Sequence, residues 1–354
     1  MINAKFILIP VLLSFMMLNR LTAQQSEITI SNGDVEIAGT LVMAENSESP
    51  LVIMLTGSGA QDRDETIYGF KPFKLIADHL VEAGISSYRY DDRGIGGSSG
   101  NLAKATLDDL VSDVNAVVDY FDESPDYSFS EIILLGHSQG GIVSIKSAKE
   151  NPDIDKLILM ASPLVQLKDV ISEQVSVMQK AMGKSEEEIA TVLEFQDLVY
   201  ETVRADAGWD ELKAAYKELL RTEIAKLPEA QQSMITDFDQ FAEAQFNAQV
   251  LPMKTPQMSS FLYYDPGEDL KELSIPVFAL FGGKDTQVTP EQNYWKFGEL
   301  CGVNNMDCTS QMFNDANHLF QDANTGLANE YATLPKKFTE GFLTDISEWI
   351  ITGF

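Results

Sequence analysis

The amino-acid sequence predicts an α/β fold, with a mostly parallel central sheet flanked by helices and an all-helical insertion. Short continuous apolar runs such as "LVIMLTG" (51–57) alternate with amphipathic segments of helical spacing, as in parallel sheets with helical crossovers. From about residue 165 to 270 this alternation stops, and the apolar residues keep helical spacing with no strand run between them. At 354 residues the chain is long enough for one large domain with such an insertion.

The first half of the chain predicts a hairpin followed by alternating strands and helices. Alternating apolar residues flank Asn32-Gly33, which is a hairpin signal. Thr106 and Asp109 have the spacing of a capping box and predict the start of a helix. The other elements predicted here are a strand at 51–57, a helix at 71–84, a strand at 85–94, and the strand–helix–strand run "EIILLGHS", "QGGIVSIKSAKE" and "DKLILMASP".

The second half predicts a helical cap and then a return to the sheet. Ser185 and Glu188 have capping-box spacing within the helical region 165–270. The Met and aromatic residues of this region would form its own core or line an apolar acyl pocket. Further elements are expected at 275–285 (strand), 291–300 (helix), 306–313 (strand) and 337–351 (helix). We therefore predict a core of residues 24–164 and 271–354, and a cap of residues 165–270.

The N-terminus has the pattern of a secretory signal peptide spanning residues 1–23. Lys5 precedes the apolar stretch 6–18, and Ala23 is the expected cleavage site. A retained membrane anchor is the alternative, but the stretch is short and contains Pro10. We expect an exported protein, periplasmic or extracellular, without stable membrane insertion after cleavage. Export would also permit a disulfide between the two cysteines of the chain, Cys301 and Cys308.

Composition and spacing argue against several classes of partner and cofactor. A formal net charge of −29 disfavours nucleic acid and anionic membranes, which are themselves polyanions. The chain has three His and two Cys without ligand spacing, so we expect no metal. "RYDDRGIGGSSG" (89–100) lacks the spacing of a dinucleotide site and predicts a rigid loop with an Asp–Arg pair, so no cofactor is expected. Arg63 and Asp64 would be either structural or at the edge of a substrate pocket.

A candidate nucleophile lies in "GHSQGG" (136–141), between a predicted strand and a predicted helix. The G-x-S-x-G spacing alone is a weak signal, because glycine and serine are common in any turn. In a strand–turn–helix context, however, this motif exposes a serine hydroxyl at the carboxyl edge of a parallel sheet. Ser138 is therefore the expected nucleophile.

A serine nucleophile requires a base and an acid that orients the base. Of the three histidines, His79 lies inside a helix, and His137 should point away from Ser138 into packing. His318 lies in a loop after the last strand and is the expected base. Asp285 ends a strand at the same sheet edge and is preferred as the acid over Asp315, which is too close to His318 along the chain.

An oxyanion hole requires two backbone N–H groups that face the developing negative charge. Gln139, at the start of the helix after Ser138, should supply one of them. The other should come from the loop after the strand at 51–57, where Ser58 and Gly59 are the candidates. Glycines in this loop would let its backbone approach a substrate closely.

These motifs resemble those of the α/β-hydrolase superfamily, and within it the bacterial EstD-like esterases and serine-aminopeptidase-type domains. The similar stretches are "GSGAQDRDETIYGFKPF", "YRYDDRGIGGSSG", "LLGHSQGG", "YYDPGEDLKELSIPVFALFGGKDTQV" and "NHLFQDANTG". The resemblance implies an α/β-hydrolase fold, cofactor-free carboxylic ester hydrolysis, and a triad of Ser138, Asp285 and His318. Thr56 departs from the family, which often has His there.

Three function classes follow from these residues. The first is an exported serine esterase that acts on a small-molecule acyl ester through an acyl-enzyme. The second is a serine aminopeptidase that uses the same triad and a carboxylate that binds the free α-amine. The third is a non-catalytic binding protein, which would not require the three triad residue types in this order.

Overall fold

The computed structural model describes residues 24–304 and 306–353, so the expected signal peptide at 1–23 lies outside the described residues. Eight strands form one sheet. They are β1 (Gln24–Asn32), β2 (Val35–Met43), β3 (Leu51–Leu55), β4 (Ser86–Tyr90), β5 (Ile132–His137), β6 (Lys156–Met160), β7 (Val277–Gly282) and β8 (Cys308–Phe313). Among the described residues, no helix is both long and apolar enough to cross a bilayer.

The strand order is β1-β2-β4-β3-β5-β6-β7-β8. The predicted hairpin is present, because β1 and β2 pair antiparallel around Asn32-Val35, and β2 then pairs antiparallel with β4. All the remaining neighbours, from β4 through β8, pair in parallel. The carboxyl ends of six strands therefore meet at one edge, where the loops that follow them come together.

Helices cover both faces of the sheet and make up the segment between β6 and β7. The sheet-flanking helices are α1 (Pro72–Glu82), α2 (Leu107–Glu123), α3 (Gln139–Glu150), α11 (Pro290–Asn304) and α12 (Phe342–Thr352). Between β6 and β7 lie α4 (Leu167–Ala181), α5 (Glu186–Ala205), α6 (Trp209–Ala225), α7 (Glu229–Gln232), α8 (Phe238–Gln249), α9 (Pro256–Leu262) and α10 (Pro266–Leu270). Short 3₁₀ turns occupy Leu102–Lys104, Leu251–Lys254 and Ala328–Glu330.

The core explains why the central strands read as continuous apolar runs. In β3, Leu51 and Ile53 face the cluster that packs against α2 and α3, whereas Val52 and Met54 face the cluster beneath α1 and α12. Both faces of the strand are therefore buried, and neither position of the pleat is free to be polar. The result is an α/β-hydrolase fold with a mostly parallel sheet, as the sequence predicts.

Two predicted capping boxes are confirmed. Thr106 caps α2 together with Asp109, and Ser185 caps α5 together with Glu188. The predicted start of the last helix was wrong, because this helix begins at Phe342 rather than near 337. Gly341, which precedes it, has a φ of 87°, a left-handed conformation that a continuing helix does not adopt.

The segment between β6 and β7 has an apolar core of its own. It is formed by residues of α5, α6, α8 and α9 and by Val250, which follows α8. The helix residues are Val199, Tyr200, Val203, Leu212, Tyr216, Phe246 and Leu262. Phe261 and Leu270, near the end of the segment, belong instead to the core of the sheet. The segment is thus helical and internally packed, and its last turns anchor it to the α/β unit.

Candidate active site

Ser138 lies on a tight turn between β5 and α3 and has a backbone conformation that is unusual for a residue with a side chain. Its φ is 51° and its ψ is −118°. Its N–H donates to the carbonyl of Met160 in β6, at 2.9 Å, and its carbonyl accepts from Gly141 at 3.0 Å. Non-glycine residues held in such sparsely populated conformations cluster at functional sites. The strand–turn–helix context required of a nucleophilic serine is therefore present.

The glycines of the "GHSQGG" motif allow this turn to be tight. A Cβ atom on Gly136 would lie 2.4 Å from the carbonyl oxygen of Gly140, and one on Gly140 would lie 2.3 Å from that of Leu55. Any side chain at either position would therefore push α3 away from the ends of β3 and β5. The spacing of the motif reflects this close approach of the helix to the sheet.

His318 and Asp285 meet at the same edge of the sheet. The Nδ1 atom of His318 lies 2.7 Å from Oδ2 of Asp285. The other carboxylate oxygen, Oδ1, accepts from the N–H groups of Gln287 and Val288, at 2.7 and 2.9 Å. A carboxylate held in this way fixes an Nδ1–H tautomer of His318 and leaves Nε2 able to accept a proton.

Asp315, the alternative acid, points elsewhere. Its carboxylate forms an ion pair with Lys284 at 2.8 Å, and 73% of its side chain is exposed to solvent. The structure therefore brings Asp285, and not Asp315, to His318. His79 is likewise remote from this group, because its Nε2 atom lies 3.0 Å from the hydroxyl of Ser347.

The loop after β3 lies against the nucleophile turn. A Cβ atom on Gly57 would be 3.4 Å from Cβ of Ser138, which places the next residue, Ser58, beside the nucleophile. Within the described residues, neither the N–H of Ser58 nor that of Gln139 has a hydrogen-bond acceptor in the protein. Free N–H groups beside a nucleophile are what an oxyanion hole requires. Gly59, the other candidate, has a φ of 94° and lies one residue further along the loop.

Thr56, where the sequence departs from the family, anchors the same loop. Its hydroxyl donates to Oδ1 of Asp92 at 2.7 Å, and the N–H of Gln61 donates to Oδ2 at 2.8 Å. One carboxylate thus holds both ends of the segment that carries Ser58. Burial raises the pKa of Asp92 to about 7, and the neighbouring carboxylates of Glu65 and Asp91 act in the same direction against the two hydrogen bonds.

Arg63 and Asp64 form structural ion pairs, which resolves the alternatives that the sequence leaves open. Arg63 pairs with Asp91 at 2.7 Å and also with Glu27. Asp64 pairs with Arg89 at 2.9 Å. Burial opposes the ionisation of Asp91, but hydrogen bonds from Arg63 and from the N–H of Gly97 hold its pKa below the usual value. These ion pairs fasten the loop after β3 to β1, to β4 and to the loop that follows β4.

No sequence pattern indicated a role for Glu65, and His137 was predicted only to point into packing. Glu65 and His137 are 1% and 2% exposed, and their side chains lie 2.7 Å apart between Oε1 and Nδ1. His137 does point away from Ser138, but its ring lies 4.7 Å from that of His318, centroid to centroid. Its Nε2 atom is 3.0 Å from the carbonyl oxygen of His318. The sequence feature that could have indicated this contact is a histidine, His137, directly before Ser138, together with an acid, Glu65, in the loop after β3.

Comparisons with known proteins agree with this fold. The esterase EstD of Thermotoga maritima is 27% identical over 299 residues, which are 84% of this chain but 60% of that protein. The monoglyceride lipase homolog of Monkeypox virus is 31% identical over 109 residues, or 30% of this chain and 38% of that protein. The chain therefore spans less than two thirds of the length of either curated relative.

Solved structures show the same architecture at low sequence identity. The esterase Pf2001 of Pyrococcus furiosus superposes with a TM-score of 0.53 at 17% identity, covering 93% of this chain and 90% of that one. The proline iminopeptidase of Mycobacterium smegmatis gives a TM-score of 0.54 at 18% identity, covering 92% and 98%. The family model described as serine aminopeptidase, S33, matches residues 70–322. The chain therefore belongs to the S33 serine aminopeptidase family of α/β-hydrolases.

Proposed function

We propose that this protein is an exported serine hydrolase that cleaves carboxylic esters through an acyl-enzyme. The observation that carries the proposal is the convergence, at one sheet edge, of the constrained Ser138 turn and the buried His318–Asp285 pair. The S33 family membership and the similarity to esterase EstD support ester hydrolysis as the reaction. The substrate class is a small-molecule acyl ester.

Each residue has a defined part in this reaction. The Oγ atom of Ser138 attacks the ester carbonyl carbon, and its proton passes to Nε2 of His318. The resulting oxyanion accepts hydrogen bonds from the N–H groups of Gln139 and Ser58. Collapse of this intermediate breaks the bond to the alcohol, which leaves with the proton from Nε2. Asp285 stabilises the imidazolium that forms in between.

Water then completes the cycle. It gives a proton to Nε2 of His318 as its oxygen attacks the acyl-enzyme, and the second oxyanion is held by the same two N–H groups. Its collapse returns the proton to Oγ of Ser138 and releases the carboxylic acid. Removing one such N–H donor costs roughly 10²–10³ in kcat in hydrolases of this chemistry.

The helical segment 165–270 is proposed to cover this site as a cap. Gln174 in α4 donates from Nε2 to the carbonyl of Gln287 at 2.9 Å, two residues after Asp285. Gln292 donates in turn to the carbonyl of Asp169 at 3.1 Å. These bonds support a cap whose first helix lies against the turn that holds the acid.

The test compares two substrate series on the purified protein. p-Nitrophenyl acyl esters should be hydrolysed and aminoacyl p-nitroanilides should not, and a fluorophosphonate should label the wild type but not Ser138→Ala. Ser58→Ala is the matched control, because it retains the main-chain N–H and should keep kcat within about threefold. Turnover of the anilides alone would favour the aminopeptidase that the family description suggests. Labelling that persists in Ser138→Ala would refute the assigned nucleophile.

Export rests on two features of the chain. Residues 1–23 have the signal-peptide pattern, and Cys301 and Cys308 form a disulfide with their Cα atoms 6.1 Å apart. Disulfides persist mainly in oxidising compartments such as the periplasm or the cell exterior. N-terminal sequencing of protein recovered from the periplasm or culture medium should begin near Gln24. An intact N-terminus in the cytoplasmic fraction would contradict the proposal.

A further inference from the structure

Glu65 and His137 form a buried pair that the proposed reaction does not use directly. Their contact, 2.7 Å between Oε1 and Nδ1, joins residues that are 72 positions apart in the chain. Both side chains are almost completely removed from solvent. Burying two ionisable groups is costly unless they are paired, so their placement next to the triad requires an explanation.

The pair connects the two loops on which the proposed catalysis depends. Oε1 of Glu65 also accepts from the N–H of Gly57 at 2.7 Å, and Gly57 immediately precedes the oxyanion donor Ser58. On the other side, Nε2 of His137 donates to the carbonyl oxygen of His318 at 3.0 Å. An unbroken chain of hydrogen bonds therefore runs from the oxyanion loop, through Glu65 and His137, to the main chain of the base.

The acceptors around His137 indicate its protonation state. The carbonyl of His318 can only accept, so Nε2 must carry a proton. Oε1 of Glu65 accepts from Gly57 and faces Nδ1, and among the described residues Oε2 is buried without a hydrogen-bond partner, so a proton on Oε2 would have no acceptor. An Oε1 atom that accepts from Gly57 matches a donating Nδ1, which makes the ring doubly protonated. Burial opposes the charge, but the carboxylates of Glu65 and Asp285 raise the pKa of His137.

The backbone at Glu65 shows that this arrangement has a cost. Its φ is 53°, a left-handed value that is unfavourable for a residue with a long side chain. Together with the unpaired Oε2 atom, this local strain is the kind that persists where the surrounding structure imposes it. Among the described residues, the left-handed backbone of Glu65 and the unpaired Oε2 atom therefore occur in the residue that contacts both Gly57 and His137.

We propose that Glu65 and His137 form a carboxylate–imidazolium pair that positions the oxyanion loop and the base loop relative to each other. Both are positioning residues, and the inference rests on the function proposed above. The Glu65→Gln variant breaks the pair with a minimal change of shape. Without the counter-charge His137 becomes neutral and donates from one ring nitrogen only. If the introduced amide presents its oxygen to Nδ1, Nε2 loses its bond to the His318 carbonyl. If the amide presents its nitrogen to Nδ1, that nitrogen cannot accept from the N–H of Gly57, and the link to the oxyanion loop is lost.

The experiment combines kinetics with ¹⁵N NMR of histidine-labelled protein. In the wild type, the ring assigned to His137 should show two protonated nitrogens at about pH 7, which is above the ordinary histidine pKa of about 6.5. Glu65→Gln should lose one of these protons and lower kcat about 10–100-fold with KM changed less than about threefold. The matched control, Glu82→Gln, makes the same change at an exposed position at the end of α1 and should preserve both the spectrum and kcat.

The outcomes separate this inference from the proposed function. A wild-type His137 with one protonated nitrogen, or a folded Glu65→Gln with wild-type kcat, overturns the inference. If the wild type neither reacts with fluorophosphonate nor cleaves esters, the proposed function fails. The NMR measurement in that case still decides whether the pair is ionised and whether Glu65 maintains it.

Discussion

The carboxylate of Asp285 reaches Nδ1 of His318 at 2.7 Å, although the two residues are 33 positions apart and Asp315 is much closer in sequence. The reason is topological. Asp285 follows β7 and His318 follows β8, and these strands are parallel neighbours whose carboxyl ends lie side by side. A residue three positions before His318 in the same loop instead turns outward to Lys284.

Replacing each of these acids should therefore give very different enzymes. Asp285→Asn should lower kcat for p-nitrophenyl acetate by about 10³–10⁴, because the amide no longer fixes the tautomer of His318 or stabilises its imidazolium. Asp315→Asn should leave kcat within about twofold, since it removes one exposed ion pair. Steady-state kinetics of the two variants, with circular dichroism to verify folding, tests this. A larger loss of kcat in Asp315→Asn than in Asp285→Asn would show that Asp285 is not the acid.

Acyl-chain preference should depend on α4. Gln174 reaches Gln287, and Met178 lies one turn further along the same helix face, 45% exposed. Met178→Ala should lower the ratio of kcat/KM for octanoate over acetate esters by about fivefold or more, because apolar contact with the longer chain is lost. Met234→Ala, at a position that is 79% exposed between α7 and α8, is the control. If the octanoate-to-acetate ratio of kcat/KM is the same in both variants, the helical segment 165–270 does not determine acyl-chain preference through Met178.

The strands and helices were predictable because they follow from local apolar patterns, as the two-sided burial of β3 shows. The location of Ser138, Asp285 and His318 at one sheet edge was also predictable, since the strands that precede these residues were recognisable and parallel strands bring their ends together. The start of α12 was not predictable, because it depends on the left-handed backbone conformation of Gly341, which amphipathic spacing does not encode.

Contacts between segments far apart in the chain could not be predicted from the sequence, for a different reason. Glu65 reaches His137 across 72 residues, and Gln174 reaches Gln287 across 113 residues. Each pair joins a residue of a strand or helix, His137 of β5 or Gln174 of α4, to a residue of a distant loop, so no spacing rule relates its members. Arg63 illustrates the same limit: its charge was visible, but its choice of Asp91 as a partner depends on how two loops pack.

The stability of the fold should depend on the ionisation of Asp92. Its pKa in the folded protein is about 7, above the ordinary value of about 3.9, so between these values the folded state binds more protons than the unfolded state. This group therefore makes the free energy of unfolding fall as pH rises from about 4 to about 7. Asp92→Asn can still bond Thr56 and Gln61, but it does not titrate.

Urea unfolding at about pH 5 and about pH 7.5 tests the role of Asp92, since one value lies below the pKa of Asp92 in the folded protein and the other lies above it. The decrease in the free energy of unfolding between the two pH values should be smaller in Asp92→Asn than in the wild type. Asp315→Asn, which removes an exposed carboxylate, serves as the control and should follow the wild type. An identical decrease in Asp92→Asn and the wild type would show that another group is responsible.

The Cys301–Cys308 disulfide should stabilise the sheet edge that precedes the base. Cys301 lies in the last turns of α11 and Cys308 begins β8, which leads into the loop of His318. Closing so short a loop should contribute about 2–3 kcal/mol by the chain-entropy relation. The Cys301→Ser/Cys308→Ser variant should melt several degrees lower than the wild type. It should retain most of its kcat, because Cys308 lies at the start of β8 and His318 follows the opposite end of that strand. Differential scanning calorimetry gives the shift, and alkylation with intact-mass analysis, before and after reduction, verifies the bond. Two alkylated thiols in the unreduced, denatured protein from an oxidising compartment would show that the bond does not form.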